Sequence, residues 1–276
     1  VHYRTLFFSD IHLGSSGAQA DAFLSFIKDK SFDKIYVVGD FVDFWSLKRK
    51  GKQWTQEHND VLQKLLKKHR KGADCTWIVG NHDEFMSQFS GENFGGIDVM
   101  LQDVHVAADG KKYFIMHGHE LDAIMLNAKW AMHLGSRAYD ILLWLNPYMR
   151  KIFNLFGHKH FSLSAYVKYK VKGAVNFISD FEDGIAGYAK RHDVDGVICG
   201  HVHVPSMTKL DSVFYLNTGD WVESLSCIVE HASGKMELLK MHEGVMVSCA
   251  EINAHEEKVV YSRRELLTPN VGQTTK

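Results

Sequence analysis

The sequence predicts an α/β fold: a largely parallel or mixed sheet layered by helices, forming one domain over residues 1–276 with a helical insertion at about 123–190. Three observations lead there. Short β-branched and aromatic runs recur, each ending just before a polar or glycine-containing turn. Apolar stripes of helical period lie between the first of these runs. From about residue 123 to 190 the strand signals vanish, and aromatic residues such as Trp130, Trp144 and Phe156 mix with basic ones such as Arg137, Arg150 and Lys159.

The strands are expected at residues 5–8, 34–38, 76–79, 113–116, 196–199 and 213–216. Between the first two, Ala20, Phe23, Leu24 and Ile27 follow i, i+3, i+4, i+7 spacing, and between the next two Val61, Leu62, Leu65 and Leu66 mark a second helix. Binding sites in such folds collect beyond the carboxyl ends of the strands. The insertion reads as a helical cap over that end, although aromatics at helical spacing also pack hairpins and subunit interfaces. Its most apolar stretch, 141–149, is shorter than the roughly 20 residues that cross a bilayer. Residues 262–276 lose periodicity and read as a loose tail.

Composition narrows the partners. The 32 Lys and Arg nearly balance 33 Asp and Glu, so no nucleic acid is expected and any anion preference must be local. Histidine is abundant, at 17 residues, which favours a metal site because imidazole is the commonest ligand for Zn, Mn and Fe-class ions. Cys75, Cys199, Cys227 and Cys249 lack C-x-x-C spacing, which argues against a zinc ribbon, a redox pair or a disulfide scaffold and for a reducing compartment. No charged-then-apolar leader precedes the first strand, and a cytoplasmic setting is expected.

Five motifs follow one another: Asp10-Ile11-His12, Gly39-Asp40-Phe41-Val42-Asp43, Gly80-Asn81-His82-Asp83, His117-Gly118-His119 and Gly200-His201-Val202-His203. Each sits where a strand gives way to a turn. If strand geometry persists, Asp10 and His12 project to one side, as do His201 and His203. A single Asp after a strand is often only a helix cap, and a lone His is often an ordinary core residue. Five such motifs in succession, all of carboxylate, imidazole or amide groups, point instead to a metal centre.

The chemistry explains the residue types. Two divalent cations roughly 3.5–4 Å apart repel each other, so a carboxylate bridging both is needed, and Asp40 is the candidate. Asp10, His12 and His203 complete one protein shell; Asn81, His117 and His201 complete the other. Bound divalent metals bring a water to its hydroxide form near neutral pH, and that hydroxide attacks phosphorus in line. His82, next to Asn81, is placed to protonate a leaving oxygen or steady the transition state. Asp43 either orients His82 or caps a helix, the two readings standing even. No Gly-x-Ser-x-Gly elbow or glycine-rich Lys loop stands out.

This ordered set resembles the calcineurin-like metallophosphoesterase superfamily, whose D-x-H, G-D, G-N-H-D, H and G-H-x-H pattern is met from Asp10 through His203. The resemblance implies a two-layered mixed β-sandwich flanked by helices, His82 as the catalytic imidazole, and a pair of divalent ions, Mn first with Fe or Zn as alternatives. The flanks at 8–14, 39–45, 80–85 and 218–223 are similar to the bacterial UDP-2,3-diacylglucosamine diphosphatase family and its homologues. That family cleaves the pyrophosphate of a lipid A precursor, giving a diacylglucosamine 1-phosphate and UMP. Its members usually carry Arg where this chain has His82 and Asp where it has His119, which places the chain nearer the homologue branch.

By this resemblance the partner is a phosphate-containing small molecule or lipid, contacted by Asn81, His82 and Asp122, with peripheral contact at the inner membrane through the insertion. Its aromatic and basic residues suit an acyl chain and a phosphate. A phosphomonoesterase or phosphodiesterase on another substrate is the alternative. Protein Ser/Thr phosphatases carry Arg where this chain has Phe44, and a non-catalytic scaffold fits poorly with a complete ligand set. The oligomeric state is not legible.

Overall fold

The computed structural model describes residues 1–50, 54–122 and 172–252. Most of the expected insertion and the whole of the expected tail lie outside the described residues. Within them, β1 (His2–Phe8), α1 (Ala20–Ile27), β2 (Ser31–Val38), α2 (Phe44–Lys50), α3 (Gln56–His69) and β3 (Asp74–Ile78) form the first half, followed by β4 (Asn93–Phe94) and β5 (Ile97–Met100). β6 (Asp103–Val106) and β7 (Lys112–Ile115) precede a long helix, α4 (Lys172–His192). The chain continues through β8 (Gly196–Cys199), β9 (Ser206–Leu210), β10 (Val213–Asn217), β11 (Ser226–Glu230), β12 (Met236–His242) and β13 (Val245–Ile252).

Two sheets result, one of eight strands in the order β13-β12-β11-β1-β2-β3-β5-β4 and one of five in the order β6-β7-β8-β10-β9. Strand alternation explains how they stack. Leu6 and Phe8 face the helices α1 and α3, joining Phe23, Ile27, Val61 and Leu65, while Phe7 between them faces the second sheet. Likewise Ile198 points between the sheets, and Val197 and Cys199 point at Phe181 and Ile185 of α4. Both faces of the central strands are therefore buried, which is why the sequence shows unbroken apolar runs there instead of alternation.

β1, β2 and β3 run parallel in one sheet; β7, β8 and β10 run parallel in the other. Their carboxyl ends gather at one edge, and backbone bonds zip the following loops together. Asp10 donates its N–H to the Gly39 carbonyl (3.1 Å), Gly200 to that of His117 (3.0 Å) and Trp221 to that of Asp10 (3.1 Å). Every motif singled out in the sequence leaves from this edge.

The sheets are also tied by a buried acid. Glu230 on β11, fully buried, accepts bonds from Thr5 (2.7 Å), Arg4 (2.5 Å) and the Ala108 N–H (2.8 Å), and its Oε2 lies 2.7 Å from His105 of β6. Burial alone would raise its carboxyl, but His105, Thr5 and the Ala108 amide together lower it below its ordinary value. A depressed acid stabilises the fold above its unfolded-state value and loses that contribution as pH falls through its folded-state value. Glu230→Gln is therefore expected to cost about 3 kcal/mol at neutral pH, and less in acid. Urea melts at pH 7 and pH 4 check this; a neutral-pH change under about 0.5 kcal/mol would contradict it.

Candidate metal centre

The candidate ligands do not stand on strands. Asp10, His12, Asp40, His201 and His203 all lie past strand ends in the left-handed region, with φ of 53°, 54°, 51°, 67° and 55°. This corrects the expectation that strand alternation aligns each pair. Non-glycine residues rarely hold this conformation, and it persists only where the surroundings over-determine it. Here the interloop bonds do so, since His12 donates to the Asp40 carbonyl at 3.0 Å while Leu13 donates to that of Phe41 at 2.9 Å. Two glycines make room: a Cβ at Gly39 would strike the His117 imidazole, and one at Gly80 the Asp40 carboxylate.

One set comprises Asp10, His12 and His203, and a second Asp10, Asp40 and His117, each with one ligand atom per residue within 4.8 Å of the others. In the first, His203 Nε2 lies 3.0 Å from Asp10 Oδ1 and 3.4 Å from His12 Nε2. Asp10 is fully buried, yet its Oδ1 has no hydrogen-bond partner among the described residues. Its Oδ2 is occupied, by the Ser9 hydroxyl and the His201 N–H. An orphaned buried carboxylate oxygen facing two imidazole nitrogens suits a cation.

The second set carries a tautomer argument. His117 Nδ1 lies 2.9 Å from the Val38 carbonyl, so it holds the proton and leaves the Nε2 lone pair facing Asp40 Oδ2 (3.4 Å) and Asn81 Oδ1 (3.2 Å). Nitrogen and oxygen lone pairs aimed at one point need a proton or a metal between them. Asp40 Oδ2 also lies 3.7 Å from His12 Nε2, and so faces both sets. Its Oδ1 accepts the His82 N–H at 2.8 Å.

Electrostatics express the same demand for positive charge. Burial works against ionisation of Asp10, but His203 and His12 hold it well below the usual carboxylate range. Burial likewise opposes Asp40, and His117 lowers it. Burial would depress the His117 imidazole, whereas Asp40 lifts it to about 10. The donors, imidazole, carboxylate and amide, suit Mn, Fe or Zn.

His201 stands apart from both sets. Its Nε2 lies 2.8 Å from Asp122 Oδ2, and its ring centroid is 5.2 Å from that of His117, which leaves Nδ1 as the nitrogen able to turn to a cation beside His117. Asp122, which the family resemblance assigns to substrate, is thus in contact with a candidate ligand. Asp43 caps a helix and also stands beside His82. Its Oδ1 accepts the Ser46 N–H at 2.7 Å, capping α2, and also lies 3.1 Å from His82 Nδ1, though without good hydrogen-bond geometry. Burial would raise Asp43, but His12 and His82 hold its carboxyl low.

Three residues escaped the sequence reading. The Trp45 ring lies against that of His82, with centroids 4.2 Å apart and planes tilted by 31°, and is 54% exposed. Asp83 is fully buried and accepts N–H bonds from Gly80 (2.5 Å), Phe41 (2.8 Å) and Trp77 Nε1 (3.1 Å), locking the β3 loop to the β2 loop. Burial, aided by Asp40, raises it to about 6. Asp220 lies behind His203, Oδ2 to Nδ1 4.0 Å. Asp83 sat inside a motif, and Trp45 and Asp220 lie in the flanks 39–45 and 218–223, but residue type alone did not assign any of them a role.

Buried nitrogen and oxygen donors gathered at the strand ends of a layered α/β sandwich define a metal-dependent phosphoesterase, a hydrolase acting on phosphorus-containing esters or anhydrides. The chain belongs to the calcineurin-like phosphoesterase family, whose sequence profile matches residues 3–205. It is 26% identical over 254 residues to the UDP-2,3-diacylglucosamine hydrolase of Vibrio atlanticus, covering 82% of this chain and 93% of the relative. With the Yersinia pseudotuberculosis protein of the same name it shares 25% over 217 residues, covering 75% and 85%. Among solved structures, zinc-complexed Vps29 from Entamoeba histolytica aligns with a TM-score of 0.47 at 14% identity, over 91% of this chain and 99% of that one. No helix among the described residues is long and apolar enough to cross a membrane.

Proposed function

We propose that this protein hydrolyses the pyrophosphate of UDP-2,3-diacylglucosamine or a related lipid-linked nucleotide, with two divalent cations, Mn first, held by Asp10, His12, Asp40, Asn81, His117, His201 and His203. The observation that carries the reading is the orphaned Asp10 Oδ1 beside His12 and His203, next to the Asp40 carboxylate that faces both ligand sets. When bound, such ions supply Lewis-acid stabilisation of phosphoryl charge and a water acidic enough to attack near neutral pH. The relatives named for UDP-2,3-diacylglucosamine hydrolysis support the substrate class.

The side chains supply the rest. His82, about a quarter exposed and 4.0 Å from Asp40 Oδ2 through Nε2, reaches the space in front of the ligand sets and gives a proton to the leaving oxygen. Asp43 favours the imidazolium form of His82 that gives up this proton and leaves neutral imidazole behind, and its fixing by the α2 amide keeps the pair aligned. Trp45 covers one side of the His82 ring. Asn81 and His82 are the substrate contacts nearest the cations. Asp122 holds His201 through Oδ2 and has Oδ1 left for a substrate contact. Residues 123–190 would cover the acyl chains and touch the inner membrane from the cytoplasmic side.

Chelator-stripped protein reloaded with manganese is expected to release UMP from UDP-2,3-diacylglucosamine. Absence of UMP from a fully loaded enzyme would remove this substrate. A second reading, a phosphomonoesterase or phosphodiesterase on another substrate, is favoured by His82 and His119 standing where the diphosphatases usually have Arg and Asp. Turnover of p-nitrophenyl phosphate or its diester with no lipid dependence would support it.

A further inference from the structure

The His203 imidazole presents Nε2 to Asp10 and His12, so its other nitrogen, Nδ1, decides its tautomer. A neutral imidazole that ligates through Nε2 must carry its proton on Nδ1, and an acceptor placed there fixes both tautomer and ring plane. Asp220 Oδ2 faces that nitrogen at 4.0 Å. The carboxylate is 1% exposed, and Oδ2 has no hydrogen-bond partner among the described residues.

Its other oxygen is firmly held. Asp220 Oδ1 accepts the N–H groups of Val222 (2.8 Å), Glu223 (2.5 Å) and Ser224 (3.2 Å), and its own N–H donates to Ser224 Oγ (2.9 Å). The neighbouring Trp221 amide bonds the Asp10 carbonyl, so the turn is built onto a candidate ligand. A turn needs only one carboxylate oxygen to cap it. The second, buried and aimed at His203, has no use within the turn, and an unsatisfied buried carboxylate oxygen is costly.

We propose that Asp220 is a positioning residue for the metal centre: it accepts the Nδ1 proton of His203 and holds that ring with its Nε2 lone pair toward the Asp10 site. The inference rests on the reading of Asp10, His12 and His203 as metal ligands. The gap of 4.0 Å exceeds a hydrogen bond by about 1 Å, and such bonds are often long before the site is loaded. The proposal requires the His203 ring and the Asp220 carboxylate to close by that amount.

The test is manganese titration of chelator-stripped, full-length protein, by calorimetry and by the electron paramagnetic resonance of the bound ions. Asp220→Asn keeps an oxygen for the three amides but turns an NH2 donor on Nδ1. Donor against donor favours the opposite tautomer, whose proton occupies the ligating nitrogen. The variant is expected to lose about 10–100-fold in affinity at one of two sites, replacing a coupled-pair spectrum with that of a lone ion. Ser224→Ala perturbs the same turn yet leaves Asp220 Oδ2 in place, and both affinities should stay within about threefold of wild type, well inside the loss expected for Asp220→Asn.

A second measurement needs no variant: in zinc-loaded wild type labelled with 15N-histidine, His203 should show a protonated, slowly exchanging Nδ1. Two-site binding in wild type with unchanged affinities in Asp220→Asn, or an unprotonated Nδ1, overturns the role of Asp220 alone. An equal loss in Ser224→Ala overturns it too, since the turn and not the carboxylate would then be responsible. Wild-type protein that takes up no ion overturns the underlying metal reading, and this inference with it.

Discussion

Asp40→Ala is expected to abolish hydrolysis, by on the order of 10⁴-fold or more, and to prevent two cations from sitting together. The reason lies in the position of Oδ2, 3.7 Å from His12 Nε2 on one side and 3.4 Å from His117 Nε2 on the other. No other described carboxylate faces both histidines so closely. Removing it leaves each ion with fewer protein donors and leaves Asp10 as the one carboxylate shared by both sets to offset their repulsion. The change can be read without substrate, because ions that bind only the folded state raise its melting temperature. Saturating manganese should stabilise wild type markedly and the variant little. An Asp40→Ala protein that kept two ions and its activity would remove Asp40 from the bridging position.

His82→Ala should behave differently. Turnover is expected to fall by about 10²–10⁴-fold, the usual worth of a general acid, with both ions retained. His82 contacts the centre from outside: its side chain is part exposed, its Nε2 is 4.0 Å from Asp40, and its ring lies between Trp45 and Asp43. Its backbone amide, which bonds Asp40 Oδ1 at 2.8 Å, survives the substitution, so the bridging carboxylate keeps its orientation. Metal analysis together with kcat over a pH series separates the roles. A variant that lost its ions would make His82 a ligand, as the 4.8 Å grouping of His12, Asp43 and His82 also permits.

The candidate ligand set was legible because each donor lies inside a short motif at a strand end, where glycines and carboxylates interrupt apolar runs. Asp10, Asp40, His117 and His203 could be named from residue type and order. How they converge could not. The left-handed turns at Asp10, His12, Asp40, His201 and His203 depend on bonds between loops from different strands, which leave no local trace. Asp43 illustrates the limit: its spacing suggested a cap or an orienting acid, and only the three-dimensional arrangement reveals that the oxygen capping α2 also lies 3.1 Å from His82 Nδ1.

The parallel strands β1, β2, β3, β7 and β8, drawn from both sheets, were read through their buried carboxyl-terminal halves, while β1 and β2 begin three residues earlier, where they are less buried and carry no unbroken apolar run. The strands β11 to β13 were not read. β12 is Met-Glu-Leu-Leu-Lys-Met-His, a run of good helix formers, and pairing with β11 and β13 on either side overrides that propensity. Asp220 and Trp45 were missed for a related reason. Their roles come from His203 and His82, which lie elsewhere in the chain, and no spacing rule connects them.

The most direct measurement is the metal content of the protein after exposure to manganese, iron and zinc, combined with anomalous scattering from its crystals. Two ions per chain are expected, one among Asp10, His12 and His203 and one among Asn81, His117 and His201, with Asp40 between. A centre that stays empty, or a single ion bound away from these side chains, would contradict a dinuclear phosphoesterase site.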